Sequence, residues 1–180
     1  ALLIDAAFGL FGDDGESAVT VRSVCRASAL NTRYFYESFT DTDEVLGAVY
    51  DVVAAGLNSA VEAAIAATNG ASAERLRAGI RAVLGFSSAD PRRGRILFTD
   101  ARANPALIAR RAIAQDALRH LILSERQETH PGDDPTAVHV AAAMYTGAMA
   151  ELAQQWLAGD LGTDLDAVVG HAVRMVLLTD

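Results

Sequence analysis

An all-α protein of about nine helices is what this sequence predicts, on three observations. Alanine is abundant, proline occurs only four times (Pro91, Pro105, Pro131 and Pro135), and apolar residues recur at helical rather than alternating spacing. With 51% hydrophobic residues over 180 positions, the chain can bury a substantial core. The expected organisation is a small unit over residues 1–46 containing a helix-turn-helix, followed by a larger helical unit over residues 47–180.

Leu3, Ala7, Leu10 and Phe11 recur at helical spacing, so a first helix is expected over residues 2–12, stopped by Asp13-Asp14-Gly15. Thr20 is a good N-cap for a second helix to about residue 27, because its hydroxyl can accept from a backbone N–H of the first turn. Ser28-Ala29-Leu30 forms a turn, and Asn31 or Thr32 caps a third helix to about residue 39. Asp41-Thr42-Asp43-Glu44 is a capping-box pattern that opens a long fourth helix to about residue 68, where Asn69-Gly70 stops it. The boundary between the two units, near residue 46, falls inside this helix, so rigid coupling is expected. Further helices are expected over residues 72–88, 92–101, 105–128, 136–158 and 164–178. They are separated by Asp90-Pro91, by the stretch from His130 to Pro135, and by Gly159-Asp160-Leu161-Gly162.

Residues 20–39 are the most informative stretch. Two short helices joined by a tight turn, the second polar and aromatic on its outer side, are how a helix-turn-helix reads a DNA groove. Phe35 and Phe39 lie four apart and are expected to face the core with Phe8, Phe11 and Val24. That turns Thr32, Arg33, Tyr34 and Tyr36 outward, where hydroxyls suit phosphates and arginine suits guanine in the major groove. Thr20 and the N-terminal N–H groups of its helix suit a phosphate, and Arg22 and Arg26 share that helix's outer face. Three arginines against one glutamate give residues 20–40 a local charge of +2, whereas residues 1–50 carry three arginines against eight acids. The candidate site is therefore a small basic patch on an acidic unit.

Leu3-Ile4-Asp5-Ala6-Ala7, Leu10-Phe11, Gly15, Thr20-Val21 with Val24, and Tyr36-Glu37-Ser38-Phe39 leading into Val45-Leu46 together resemble the tetracycline-repressor (TetR) family of transcriptional regulators. The resemblance covers about the first 50 residues; beyond them only helix number and length match. It implies a ligand-responsive, cytoplasmic repressor of bacterial type that binds a palindromic operator in double-stranded DNA as a homodimer and is released by a small-molecule effector. It implies neither an enzyme nor a cofactor. Three positions depart from the pattern. Ala29 stands where the family usually has glycine, Cys25 where it usually has alanine, and Thr42 where a lysine or arginine commonly contacts phosphate. Alanine in a left-handed turn costs on the order of 1 kcal/mol, and Thr42 keeps a hydroxyl for phosphate but loses a charge. The chain opens on Ala1 inside an apolar-periodic segment, so a leading piece is expected before it, and a basic arm there would compensate.

The resemblance implies that the last two helices form a four-helix interface with their symmetry mates. The residues independently support such a contact: Val140, Met144, Gly147 and Ala148 form an apolar strip on the penultimate helix, and Val168, Val169, Ala172, Val173, Met175 and Val176 make the last helix apolar on much of its surface. An effector cavity among the middle helices has Phe86, Phe98, Leu118, Leu121, Met144, Tyr145 and Trp156 as candidate lining residues, since Met and aromatic side chains suit an adaptable apolar site. Arg92, Arg93, Arg95, Arg102, Arg110 and Arg111 set six positive charges against Asp100 over residues 91–111. They either attract an anionic ligand, such as an acyl-CoA or a carboxylate, or simply coat two helices.

The net charge of −8 argues against a general nucleic-acid coat protein. All 15 cationic residues are arginine. Cys25 is the single cysteine, which excludes an internal disulfide framework and permits a reducing compartment. No apolar run reaches the ~18 residues of a membrane span, so no membrane partner is expected. His120, His130, His139 and His171 have no metal-ligand spacing with one another or with Cys25, and no nucleophile elbow, Walker loop or dinucleotide loop is present. The competing reading is an all-helical protein-interaction module that keeps this fold without reading DNA, motivated by the net acidity, Thr42 and Ala29.

Overall fold

The computed structural model describes residues 1–100, 104–129, 132 and 134–177. Among them every regular element is helical: α1 (Leu2–Asp14), α2 (Val21–Ser28), α3 (Thr32–Ser38), α4 (Thr42–Ala66), α5 (Ser72–Ala89), α6 (Pro91–Gly94), α7 (Pro105–Thr129), α8 (Pro135–Ala158) and α9 (Leu165–Leu177). A 3-10 turn, Glu16–Ala18, lies between α1 and α2, and a π-helical turn, Arg95–Asp100, follows α6.

Local capping chemistry sets most of these ends. Thr20 accepts from Ser23 N–H at 3.1 Å while Ser23 Oγ accepts from Thr20 N–H at 2.9 Å, a reciprocal box that starts α2. Asn31 accepts from the N–H groups of Arg33 and Tyr34 to start α3. Asp41 accepts from Glu44 N–H at 2.9 Å to start α4. The box expected there is displaced by one residue, because the Glu44 carboxylate reaches back to Thr40 N–H and hydroxyl instead of to Asp41. α1 runs through Asp13 and Asp14, two residues past the expected stop, and ends at Gly15, whose φ of 86° no longer continues a helix. The helix expected over residues 92–101 begins instead at Pro91, with Asp90 as its cap, and widens into the π-helical turn at Arg95. Its expected end, Ala101, lies outside the described residues, as do His130, Pro131 and Asp133 of the loop before α8 and the expected C-terminal residue Leu178.

One core cluster joins α1–α4 to the body of the molecule. Leu3, Ala7, Phe11, Val24, Phe35 and Val45 pack with Val49, Val53, Ile96, Leu97 and Leu107, so apolar side chains from both sides of residue 46 share a single interior. A second cluster, built from Ile80, Leu84, Ala153, Val169 and Val173, holds α5, α8 and α9 together. Phe98 touches both clusters. α4 is long and apolar enough, by length and composition, to cross a membrane, contrary to the reading of the sequence. Eight of its residues, from Val45 to Val61, are buried against neighbouring helices. α1 approaches α6 closely: a Cβ on Gly12 would fall 2.4 Å from Cβ of Arg92. The Arg92 guanidinium covers the Phe8 ring at 4.8 Å and pairs with Asp90 at 2.9 Å.

The turn between α2 and α3 carries the strain that the sequence points to. Ala29 has φ 55° and ψ 27°, and it is the one described non-glycine residue at positive φ. Leu30 N–H donates to Cys25 O at 3.0 Å and Ala29 N–H to Arg26 O, the bond pattern of a Schellman stop. Ala29→Gly is expected to raise stability by about 1 kcal/mol, because glycine removes the left-handed penalty and returns part of the gain as chain entropy. A urea midpoint unchanged or lowered in the variant contradicts this account.

Candidate nucleic-acid interface and effector cavity

The geometry of α3 follows from Phe35. That ring is fully buried, packs at 5.8 Å from Phe39 and at 5.5 Å edge-on from Tyr36, and so pins the helix by one face. The remaining residues have nowhere inward to go. Thr32 and Arg33 are exposed, and Tyr34 and Tyr36 expose 51% and 61% of their surface, unusually much for tyrosine. Arg33 Nε lies 2.8 Å from Glu37 Oε1 one turn on, which masks part of its charge. The pair is surface-exposed, so it is worth only about 0–1 kcal/mol and releases readily. Thr20, Arg22 and Arg26 are exposed on α2, and the Thr20 hydroxyl is engaged in its capping box. Thr42, at the first turn of α4, is half-buried. The two hydrogen bonds from Thr40 hold the neighbouring Glu44 carboxyl below its ordinary pKa, leaving a firm negative charge at this helix start.

Several long-range ties hold this head to the body. Asn104, itself buried, caps α7 by accepting from Ala106 N–H at 2.8 Å and from Leu107 N–H. Its amide nitrogen donates to Glu16 at 2.9 Å and to Asp43 at 2.8 Å, so one side chain joins the turn before α2, the start of α4 and the start of α7. Of the basic stretch, Arg92 binds Asp90 and Asp13, Arg95 donates to the Asp13 carbonyl, Arg93 covers the Phe86 ring at 4.7 Å, and Arg110 pairs with Asp51 on α4. Arg102 lies outside the described residues.

A cavity of about 60 Å³ lies between the two core clusters. α4 contributes Tyr50, Leu57, Asn58 and Val61 to its wall, and α7 contributes Arg111, Gln115 and Leu118. Val83 of α5, Leu97 and Phe98 of the π-helical turn, and Thr146 and Met149 of α8 close it. Of the residues expected to line such a cavity, the structure brings Phe98 and Leu118 to it. Phe86 packs instead on Gly56 and Arg93, Trp156 belongs to the second core cluster, and Tyr145 is half-buried on α8 away from the cavity wall. Met144 is 66% exposed because its position on α8 faces outward, beside Val140 at 54%. The Leu121 side chain lies outside the described residues. The last helix also departs from expectation: Val169 and Val173 are buried within this chain's own core, leaving Met175 exposed at 65%. Reading the sequence missed Tyr50, Asn58 and Gln115 as cavity residues. The signal was there as polar residues on otherwise apolar helical stripes, Tyr50-Ala54-Leu57-Asn58-Val61 and Arg111-Ala114-Gln115-Leu118.

No family model and no curated protein matches the sequence. Solved structures do. The fatty acid degradation regulator FadR from Bacillus halodurans superposes with a TM-score of 0.81 at 17% identity, covering 98% of this chain and 96% of that one. FadR from Bacillus subtilis, solved in complex with stearoyl-CoA, gives 0.79 at 17% identity over 97% and 96%. A TetR-like transcriptional regulator from Rhodococcus sp. RHA1 gives 0.76 at 18% identity over 98% and 92%. At these identities the likeness establishes the fold, which is that of TetR-like regulators along nearly the whole chain.

Asn104→Ala is expected to lower stability by about 2 kcal/mol, since it removes a helix cap and two hydrogen bonds to carboxylates. Asn104→Asp keeps the cap but sets a third carboxylate against Glu16 and Asp43, and is expected to destabilise at least as much at neutral pH. Urea unfolding of the two variants checks this; wild-type midpoints for both sink the clasp.

Proposed function

We propose that this chain is a ligand-responsive transcriptional regulator that binds a palindromic DNA operator as a homodimer. The observation that carries the reading is the outward set Thr32, Arg33, Tyr34 and Tyr36 on a helix pinned from behind by Phe35. Such a helix fits the major groove, with Arg33 reading a base edge and the tyrosine hydroxyls and Thr20, Arg22 and Thr42 meeting phosphates. The head belongs to residues 1–46 and the effector and dimer functions to residues 47–180. The fold it shares with solved regulators supports the same reading.

The dimer face is the strip Val140, Met144, Gly147 and Ala148 on α8, exposed in this chain, joined by Met175 of α9. Two heads held about 34–36 Å apart would read two half-sites one DNA turn apart. Repression with release by an effector follows from α4, which starts beside the reading helix and walls the cavity eight residues later at Tyr50. A ligand that moves this wall moves the head, so affinity for DNA and for effector must trade reciprocally.

A gel shift with the DNA upstream of the chain's own gene tests the reading. Arg33→Ala and Tyr36→Ala are expected to weaken specific binding by about 1–3 kcal/mol each. Glu37→Gln, which frees Arg33 from its partner, is expected to tighten binding. Thr42→Lys is expected to steepen the salt dependence by about one unit per half-site. Full-length protein without sequence preference at low salt, unaffected by either alanine variant, favours the interaction-module reading instead. Met144→Glu is expected to convert a dimer to a monomer in light scattering, because it places a charge in the middle of the apolar strip; a dimer that persists moves the interface elsewhere.

A further inference from the structure

The cavity is apolar along most of its wall, yet four of its polar residues make no side-chain hydrogen bond or ion pair among the described residues. Tyr50 is only 3% exposed, and its hydroxyl has no hydrogen-bond partner among the described residues. Arg111, on the facing wall of α7, has no ion pair and no hydrogen bond among them, and Asn58 and Gln115 make no side-chain hydrogen bond there either. The contrast with Arg110 is instructive. One position earlier on the same helix, it is neutralised by Asp51. Arg111, Asn58 and Gln115 are half-buried at this wall, and polar groups converging on one apolar cavity are the arrangement that fixes a ligand's head group.

We propose that the effector is a single-chain amphiphile whose carboxylate docks on Arg111 and the Tyr50 hydroxyl while its hydrocarbon tail lies between α4, α7 and α8. The proposal rests on the regulator reading above and specifies its effector. Charge count selects the head group. With Arg110 already paired, Arg111 brings one positive charge to the cavity, which balances a monoanion rather than a phosphate dianion or a nucleotide-bearing thioester. The planar guanidinium fork fits the two oxygens of a carboxylate. Burial pushes the Tyr50 hydroxyl up to about 12, although nearby Arg111 opposes the shift, so the phenol stays protonated and donates its hydrogen. The Asn58 and Gln115 amides stand at the same cavity to accept or donate as the head group requires.

The tail follows from the rest of the lining. Val61, Val83, Leu97, Phe98, Leu118 and Met149 offer only apolar surface. At about 60 Å³ the cavity is far below the ~300 Å³ or more of a filled ligand site. The structure is therefore the contracted form, and a tail enters only by parting α4 from α7 and α8. Binding and wall displacement are then one event.

Isothermal titration of the full chain without DNA tests the proposal, using dodecanoate, dodecanol, dodecyl phosphate and lauroyl-CoA below their micellar concentrations. Dodecanoate is expected to bind at least tenfold more tightly than dodecanol, dodecyl phosphate or the CoA thioester. Arg111→Met, checked for native helicity by circular dichroism, is expected to bring dodecanoate and dodecanol to equal affinity, and Tyr50→Phe to narrow the gap in part. Equal binding of acid and alcohol by wild type, a preference retained in both variants, or binding confined to the phosphate or the thioester each overturn it. Chain binding to its duplex without dodecanoate binding removes this proposal alone; dodecanoate binding without any duplex preference removes the regulator reading alone.

Discussion

The burial of α4 on both sides is the constraint from which the rest of the molecule follows. Val45, Leu46 and Val49 are held in a core shared with α1, α2 and α3, while Val53, Ala54 and Val61 are held against the helices of the body. A helix fixed in this way cannot flex at residue 46, so head and body move through changes in how α4 packs, not through a hinge within it. Part of its apolar content, high enough to resemble a membrane span, is buried at these two interfaces, while Val52 stays exposed. Along the same helix Thr42 lies half-buried at the first turn, close after α3, while Tyr50 and Asn58 line the cavity.

The arginines make sense within that frame. A patch that reads from sequence as one electrostatic feature is, in three dimensions, a set of separate ties. Arg92 fills the gap that Gly12 leaves and bridges α1 to α6; Arg95 reaches the end of α1; Arg110 lies over Gly47 and binds Asp51, both on α4. Arg92 and Arg95 join the acidic head to the body, Arg110 ties α7 to α4 within the body, and Asn104 reaches the start of α4. The protein's acidity therefore has a structural use, since Glu16, Asp13, Asp43 and Asp51 are partners for these groups.

Local chemistry was legible in the sequence, and long-range chemistry was not. Thr20, Asn31 and Asp41 cap helices through bonds to residues two or three positions away, so a short window of sequence contains the whole interaction. The inward face of α3 was readable because Phe35 and Phe39 sit one turn apart, and the positive φ of Ala29 only through the resemblance, which places glycine at that position. Asn104 could not be read: its partners lie 88 and 61 positions away, and nothing local marks an asparagine before Pro105 as a clasp. The cavity was half legible. Apolar residues at helical spacing mark a buried face without saying whether it meets a neighbour helix or a void. Phe98 and Leu118 thus came to the cavity, while Met144 turned outward and Trp156 into a separate core. The valines of α9 show the same ambiguity, because an apolar face looks identical whether a monomer or a dimer buries it.

The size of the cavity sets the energetics of any switch. On the proposed reading, a ligand larger than the cavity would have to displace contacts between α4 and α7 that already stabilise the fold. Moving a two-state population from 1:99 to 99:1 needs about 5.5 kcal/mol of differential binding. Burying apolar chain contributes about 0.8 kcal/mol per methylene, so a long tail has the required reserve and a short one does not. A charged head alone would bind contracted and opened forms with similar strength and shift little. Head and tail therefore act in different ways. On the proposed reading, the polar residues around Arg111 would select which molecule enters, and the length of its apolar chain would determine how far α4, and α3 with it, is displaced.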